Sequence, residues 1–289
     1  MDPAISIRGL TKRYGSAAAV DGVSFQVEKG EVFGILGPNG AGKTTTLEMI
    51  EGLRKPDGGE VLVLGEQVWP DPRRIQRRIG VQLQSTTLFD LLTARELLIL
   101  FATFYNRPDA EQRADEVLRQ VGLEGKSHDY AETLSGGQQQ RLAIALALVH
   151  DPEIVFLDEP TTGLDPQARR NLWDVIRAIN SDQRKTVVLT THYLEEAEQL
   201  CDRVAIMDSA RIVALDTPAG LIASLNADAR ISYTDEDGEH ALMVRDTQAA
   251  VLEVLERARE QGTTVSDLSV KGADLEDVFL SLTGREYRE

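Results

Sequence analysis

Gly34-Ile35-Leu36-Gly37-Pro38-Asn39-Gly40-Ala41-Gly42-Lys43-Thr44-Thr45-Thr46 decides how the chain folds. From Gly37 to Thr44 it fits G-x-x-x-x-G-K-[ST] at every fixed position. Val32 to Leu36 is a short apolar run suited to a buried parallel strand, and Thr44 to Leu53 has the pattern of a helix. A Gly-rich turn between the two is a phosphate cradle. Gly37, Pro38, Asn39, Gly40, Ala41 and Gly42 form it, the glycines turning the backbone so that its N–H groups and the helix N-terminus converge on phosphate oxygens. Lys43 can reach the β- and γ-phosphates of a nucleotide, Thr44 offers a hydroxyl to Mg²⁺, and Thr45 adds another beside the phosphates.

Outward from the cradle, the chain alternates strand and helix. Ile5 to Leu10 and Val23 to Val27 alternate as edge strands around Thr11 to Asp21, where Tyr14 could stack on a nucleotide base or cover the sheet. Glu60 to Leu64 and Ile79 to Gln84 continue the strands. A glutamine at the carboxyl end of such a strand can face a bound metal or the attacking water. Spacing leaves both Gln82 and Gln84 open for that place.

Ser85 to Leu123 switches to helical periodicity, with helices at Thr93 to Asn106 and Asp109 to Val121, so a helical subdomain over about 85–150 interrupts the sheet. It ends in Leu134-Ser135-Gly136-Gly137-Gln138, where Ser135 is a helix N-cap and two glycines free backbone N–H groups ahead of a positive helix end. Ile154 to Glu159 is a buried strand ending in two carboxylates. Asp158 can hold Mg²⁺ through water, and Glu159 can face the γ-phosphate and polarise the attacking water. Asp165 caps a helix opened by Pro166. His192 closes the strand Lys185 to Thr190 at the same sheet edge, and Glu195, Glu196 and Glu198 read as the solvated face of a short helix.

Composition narrows the function classes. A net charge of −16 opposes a general nucleic-acid binder. The single cysteine, Cys201, allows no intrachain disulfide, so a reducing compartment is expected. No run approaches the roughly 18 apolar residues of a membrane span, so any membrane role requires a partner. After a first domain over 1–225, residues 226–289 carry strands, an amphipathic helix and a last helix with Leu275, Val278, Phe279 and Leu282 on one face, a small α+β appendage.

In this order the motifs resemble the ATP-binding subunits of ATP-binding-cassette (ABC) transporters, and the resemblance spans the whole chain. It implies an α/β fold: a P-loop NTPase cassette with a mixed sheet core, the inserted helical subdomain and the C-terminal α+β appendage. Gly37 to Thr44 then corresponds to the Walker A loop, Leu134 to Gln138 to the signature sequence and Ile154 to Glu159 to Walker B. The resemblance also picks Gln84 as the metal-facing glutamine, Thr162 to Asp165 as the D-loop, His192 as the switch histidine and Tyr14 as the adenine-stacking aromatic. Gln82-Leu83 departs from a family in which a proline often precedes that glutamine.

The resemblance implies ATP and Mg²⁺ as ligands. It implies catalysis by Glu159, Lys43, Gln84 and His192, and metal contacts from Thr44, Gln84 and Asp158. Two copies would form a head-to-tail homodimer, each ATP lying between one cradle and the partner's Ser135, Gly136, Gly137 and Gln138, with Asp165 at the junction. The C-terminal Leu275 to Glu286 is similar to the drug-resistance and antibiotic-export branch, which implies an integral membrane permease contacted around Ser85 to Leu92. The chain would then lie peripherally on the cytoplasmic face of the cell membrane. A soluble ATPase remodelling ribosomes or DNA is the alternative, but neither a second cassette nor a coiled-coil insertion is visible. A G protein would need an Asn-Lys-x-Asp stretch, which is absent.

Overall fold

The computed structural model describes residues 2–83, 89, 91–225, 229–235 and 238–284. Gln84, most of the stretch expected to meet a permease, and the tail beyond Gly284 lie outside the described residues. Two compact units emerge, Met1–Leu215 and Asp216–Arg288.

The first unit opens with a hairpin of β1 (Ile5–Tyr14) and β2 (Ala17–Val27). Thr11 to Asp21, expected to separate two short strands, instead continues them, with Tyr14 paired to Ala17 across the turn. The physical reason is Gly15, whose φ of 60° lets the chain reverse within two residues. Next come β3 (Val32–Leu36) and α1 (Lys43–Ile50), then β4 (Gly58–Val63) and the two-residue β5 (Glu66–Gln67). β1, β2, β4 and β5 form an antiparallel sheet in the order β2-β1-β4-β5.

After the short α2 (Arg73–Gln76), β6 (Ile79–Gln82) leads into the helices α3 (Ala94–Phe104), α4 (Ala110–Gln120) and α5 (Gly136–Leu148). These three helices pack on one another, and α5 also packs on β6. α3 and α5 each start on a reciprocal cap, Thr93 with Glu96 and Ser135 with Gln138. The core sheet resumes with β7 (Ile154–Asp158), α6 (Pro166–Ser181), β8 (Thr186–Thr191), α7 (Leu194–Leu200), β9 (Arg203–Asp208) and β10 (Arg211–Asp216). Its strand order is β10-β9-β3-β8-β7-β6.

Every residue of β3, β7 and β8 is buried, as expected of parallel strands covered on both faces. β3 pairs in parallel with both β8 and β9, and β7 with both β6 and β8. The ends of β3, β7 and β8 that carry the cradle, the two carboxylates and His192 therefore share one edge. Stacked Phe25 and Phe33, 5.0 Å between centroids, join the two sheets in one core.

The second unit holds α8 (Pro218–Ser224), β11 (Ala229–Asp235), β12 (Gly238–Val244), α9 (Thr247–Gln261), β13 (Ser266–Lys271) and α10 (Leu275–Thr283). Its three strands are antiparallel in the order β12-β11-β13. The contacts divide after Leu215, and within the second unit α8 packs on α10. Leu275, Val278 and Phe279 are buried, whereas Leu282, expected on the same face, stays exposed.

Two acids are buried, one of them against the sequence expectation. Glu196 is fully buried, not solvated, because its face of α7 turns inward and the Trp173 indole N–H donates to its carboxylate at 3.2 Å. Glu51, at the carboxyl end of α1, is 2% exposed, and burial pushes its carboxyl from 4.5 to about 8, helped by the charges of Asp158 and Glu48. The folded state thus holds this proton more tightly than the unfolded chain. Its contribution to stability is complete below pH 4.5 and fades as pH rises through 8. Glu51→Gln should flatten that decline, on the order of 1.4 kcal/mol per pH unit across the window. Denaturant unfolding at a series of pH values, compared between the two chains, measures it.

Candidate active site

The cradle is built at the junction of β3 and α1. A Cβ on Gly37 would stand 2.2 Å from the Met207 carbonyl oxygen. Gly42, the N-cap of α1, has φ 104°, and a Cβ there would stand 2.2 Å from the Ala19 carbonyl oxygen. Both positions therefore admit only glycine, and the loop lies hard against β2 and β9. A cleft of about 450 Å³ opens beside it, lined by Ala19, Asn39, Gly40, the Gly42–Thr45 turn and Glu159.

Lys43 is buried in the floor of this cleft. Its ammonium donates to the carbonyls of Gly37 at 2.8 Å and Pro38 at 3.3 Å, and lies 3.1 Å from Glu159 Oε1. Ala41 turns inward, its N–H bonded to the Pro38 carbonyl at 3.1 Å. Thr44 Oγ1 donates to Asp158 Oδ1 at 3.3 Å. Thr45 lines the cleft one residue further along α1.

Asp158 and Glu159 diverge at the end of β7. Thr190 Oγ1 donates to Asp158 Oδ1 at 2.5 Å and accepts the Glu159 N–H at 3.0 Å. Burial raises the Asp158 carboxyl above its usual range, and the neighbouring Glu159 charge adds to that, against the hydrogen bonds from Thr190 and Thr44. Glu159 has φ 47°, an uncommon conformation for a residue with a side chain, which turns its carboxylate back over the cradle. There Oε2 accepts from Thr162 Oγ1 at 3.2 Å and stands 3.1 Å from His192 Nδ1. One buried carboxylate thus spans Lys43 and His192.

The donor set suits a hard divalent cation. Thr44 Oγ1 and Asp158 Oδ1 offer oxygen to one point, and no cluster of three His, Cys, Asp or Glu able to hold a metal exists among the described residues. Mg²⁺ bound through one carboxylate, a hydroxyl, water and substrate phosphates has these requirements.

The remaining expected site residues lie apart from the cleft. Tyr14, 47% exposed at the hairpin turn, has the Arg54 guanidinium 5.5 Å from its ring, and Ala19, not Tyr14, lines the cleft from that hairpin. Ser135, Gly136, Gly137 and Gln138 begin α5 and do not line it. Asp165 caps α6, accepting from the N–H groups of Gln167 and Ala168. Gln82 is buried within β6, its amide donating to the Leu83 carbonyl at 2.6 Å, so it does not reach the cleft.

Sequence reasoning missed Thr190, and it named Thr162 only within the D-loop, without its hydrogen bond to Glu159. A threonine inside an apolar strand was the visible signal for Thr190, since a buried hydroxyl must find partners. Thr190→Val is expected to lower the unfolding free energy by about 1–3 kcal/mol, because Asp158 and the Glu159 N–H lose a shared partner. Urea denaturation checks this, and phosphate release should fall with it.

The ABC transporter family model matches residues 20–162. A Nod factor export ATP-binding protein I of Ralstonia nicotianae is 38% identical over 99% of this chain and 96% of its own length. The linearmycin resistance ATP-binding protein LnrL of Bacillus subtilis is 36% identical over 99% of this chain and 100% of its own. Among solved structures, a dimeric ATP-binding cassette in a post-hydrolysis state, bound to ADP and Pi, is similar with a TM-score of 0.67. It is 32% identical, and the match covers 74% of this chain and 98% of that one.

Proposed function

The chain belongs to the ATP-binding subunits of the ABC transporter family, and from that premise we propose that its ATP hydrolysis powers export through a separate membrane permease. The observation that carries the hydrolytic reading is the placement of Glu159, whose carboxylate lies 3.1 Å from both Lys43 and His192 over the cradle. The export reading rests on relatives that match over nearly their whole length and whose names specify export or resistance.

Each residue then has a role that its position supports. The cradle N–H groups and Lys43 bind the phosphates, Lys43 exchanging its contacts with the Gly37 and Pro38 carbonyls for phosphate oxygens. Thr44 and Asp158 would hold Mg²⁺, which would supply neutralisation of the phosphate charge. Glu159 orients the attacking water and accepts its proton, with Thr190 and Thr162 fixing it and His192 donating toward the γ-phosphate. Gln84, by its place after β6, links this site to the permease contact. Ser135 to Gln138 and Asp165 serve the cradle of a second copy, because in one chain they do not line the cleft. ATP bound between two copies stabilises the closed dimer, and that differential binding is what a ligand needs to drive a conformational change.

No helix among the described residues is long and apolar enough to cross a membrane. In this reading the permease is a separate chain, and this subunit works at the cytoplasmic face of the membrane. Affinity isolation from gently solubilised native membranes tests it. A polytopic membrane protein in about equal amount is the expected companion; ribosomal or DNA-repair components without a permease would overturn it.

A further inference from the structure

On the buried face of α7, Glu196 stands beside Ala197 and Leu200. Its Oε1 accepts from the Trp173 indole N–H of α6 at 3.2 Å, and Trp173 is itself buried. Burial raises the Glu196 carboxyl above its usual range, against the polar pull of Thr191, Thr161 and Trp173 and the charge of Arg169. Of these contacts only the indole's closes to a hydrogen bond, since Oε2 and Thr161 Oγ1, both buried, form none among the described residues. An apolar side chain would fill this place at less cost, because a buried acid must be desolvated and then partnered. Stability alone therefore does not explain the acid.

Its neighbours share a place around the hydrolytic site. Thr191 immediately precedes His192, and its Oγ1 accepts the Tyr193 N–H at 2.9 Å, which closes the turn that carries the imidazole. The Tyr193 ring lies 4.2 Å from that of His192 and has the Arg169 guanidinium 4.1 Å from its centre. Thr161, fully buried, follows two residues after Glu159. Arg169 and Trp173 lie about one turn apart on α6. This helix thus holds the His192 turn at two points, Arg169 on Tyr193 and Trp173 on Glu196.

From this convergence we propose that Glu196 is a positioning residue for His192, tying the turn after β8 to α6 so that the imidazole stays over Glu159, where Nδ1 stands 3.1 Å from Oε2. The inference rests on the role given to His192 above and adds the group that aims it. Glu196 itself touches neither the cradle nor the cleft beside it.

The test is the double variant Glu196→Leu with Trp173→Phe in the full chain, set against Glu196→Gln, which keeps an oxygen for the indole N–H. Replacing a buried polar pair by apolar side chains is often neutral or stabilising, so the double variant should unfold thermally at or above the natural chain. Its kcat for ATP is expected to fall at least about tenfold with KM within about threefold, because His192 acts on the γ-phosphate as it transfers. Glu196→Gln should retain most of kcat. In NMR spectra of the histidine rings, with the His192 signal identified by its loss in His192→Ala, that signal should shift or broaden in the double variant. Unchanged kcat, an equal loss in Glu196→Gln, or a His192 signal that does not move overturns the inference and leaves the hydrolytic reading standing. Earlier unfolding of the double variant also overturns it, by showing the acid to serve the fold. Absence of ATP hydrolysis by the natural chain overturns both.

Discussion

Glu159→Gln is expected to lower ATP turnover by about 10²–10⁴-fold while ATP binding persists. The amide keeps the shape of the side chain but cannot take the proton of the attacking water. It also removes a buried negative charge 3.1 Å from Lys43, freeing the ammonium for phosphate oxygens. Binding should therefore hold steady or tighten, and chains that load ATP without hydrolysing it should accumulate as dimers. Phosphate release, a fluorescent ATP analogue and sedimentation separate these three effects. Turnover within about threefold of the natural chain would remove Glu159 from the role of base.

Lys43→Ala should abolish ATP binding, by at least about 100-fold, and hydrolysis with it. Lys43 is the one cation lining the cleft among the described residues, so the triphosphate loses its paired charge. A second effect is built into the site: without Lys43, the buried Glu159 carboxylate loses a partner, and breaking such a pair costs about 3–5 kcal/mol. The double variant Lys43→Ala with Glu159→Gln resolves the two. Stability should largely return, because no unpaired charge remains, whereas nucleotide binding should not.

The cradle was legible because its chemistry fixes residue types at short spacing, and Gly37 and Gly42 occupy positions where the backbone of distant strands excludes any side chain. Asp158 and Glu159 were legible because a buried strand ending in carboxylates is conspicuous. The turn that aims Glu159 at Lys43 was not, since a positive φ at glutamate has no local signature. Thr190, Glu51 and Glu196 escaped for a shared reason. Their environments are set by what packs against them from elsewhere in the chain, and helical or strand periodicity assigns a face but not its neighbours. Glu196 looked solvated beside Glu195 and Glu198 until Trp173 on α6 covered it. The packing of α8 on α10 is set in the same way, by neighbours that periodicity does not name.

We propose that each hydrolytic site is composite, a cradle from one copy completed by Ser135 to Gln138 of another. Mixing two inactive chains tests it most directly. One carries Lys43→Ala, with a spoiled cradle. The other carries Gly136→Asp, where an added Cβ meets open space and an acid at a helix start is tolerated, yet a negative charge faces the phosphate. In a head-to-tail pair one site combines the intact cradle of the second chain with the intact Ser135 to Gln138 of the first. ATP hydrolysis is expected to reappear on mixing, far above either chain alone, and to follow the fraction of mixed dimers. A mixture as inactive as its components would contradict it.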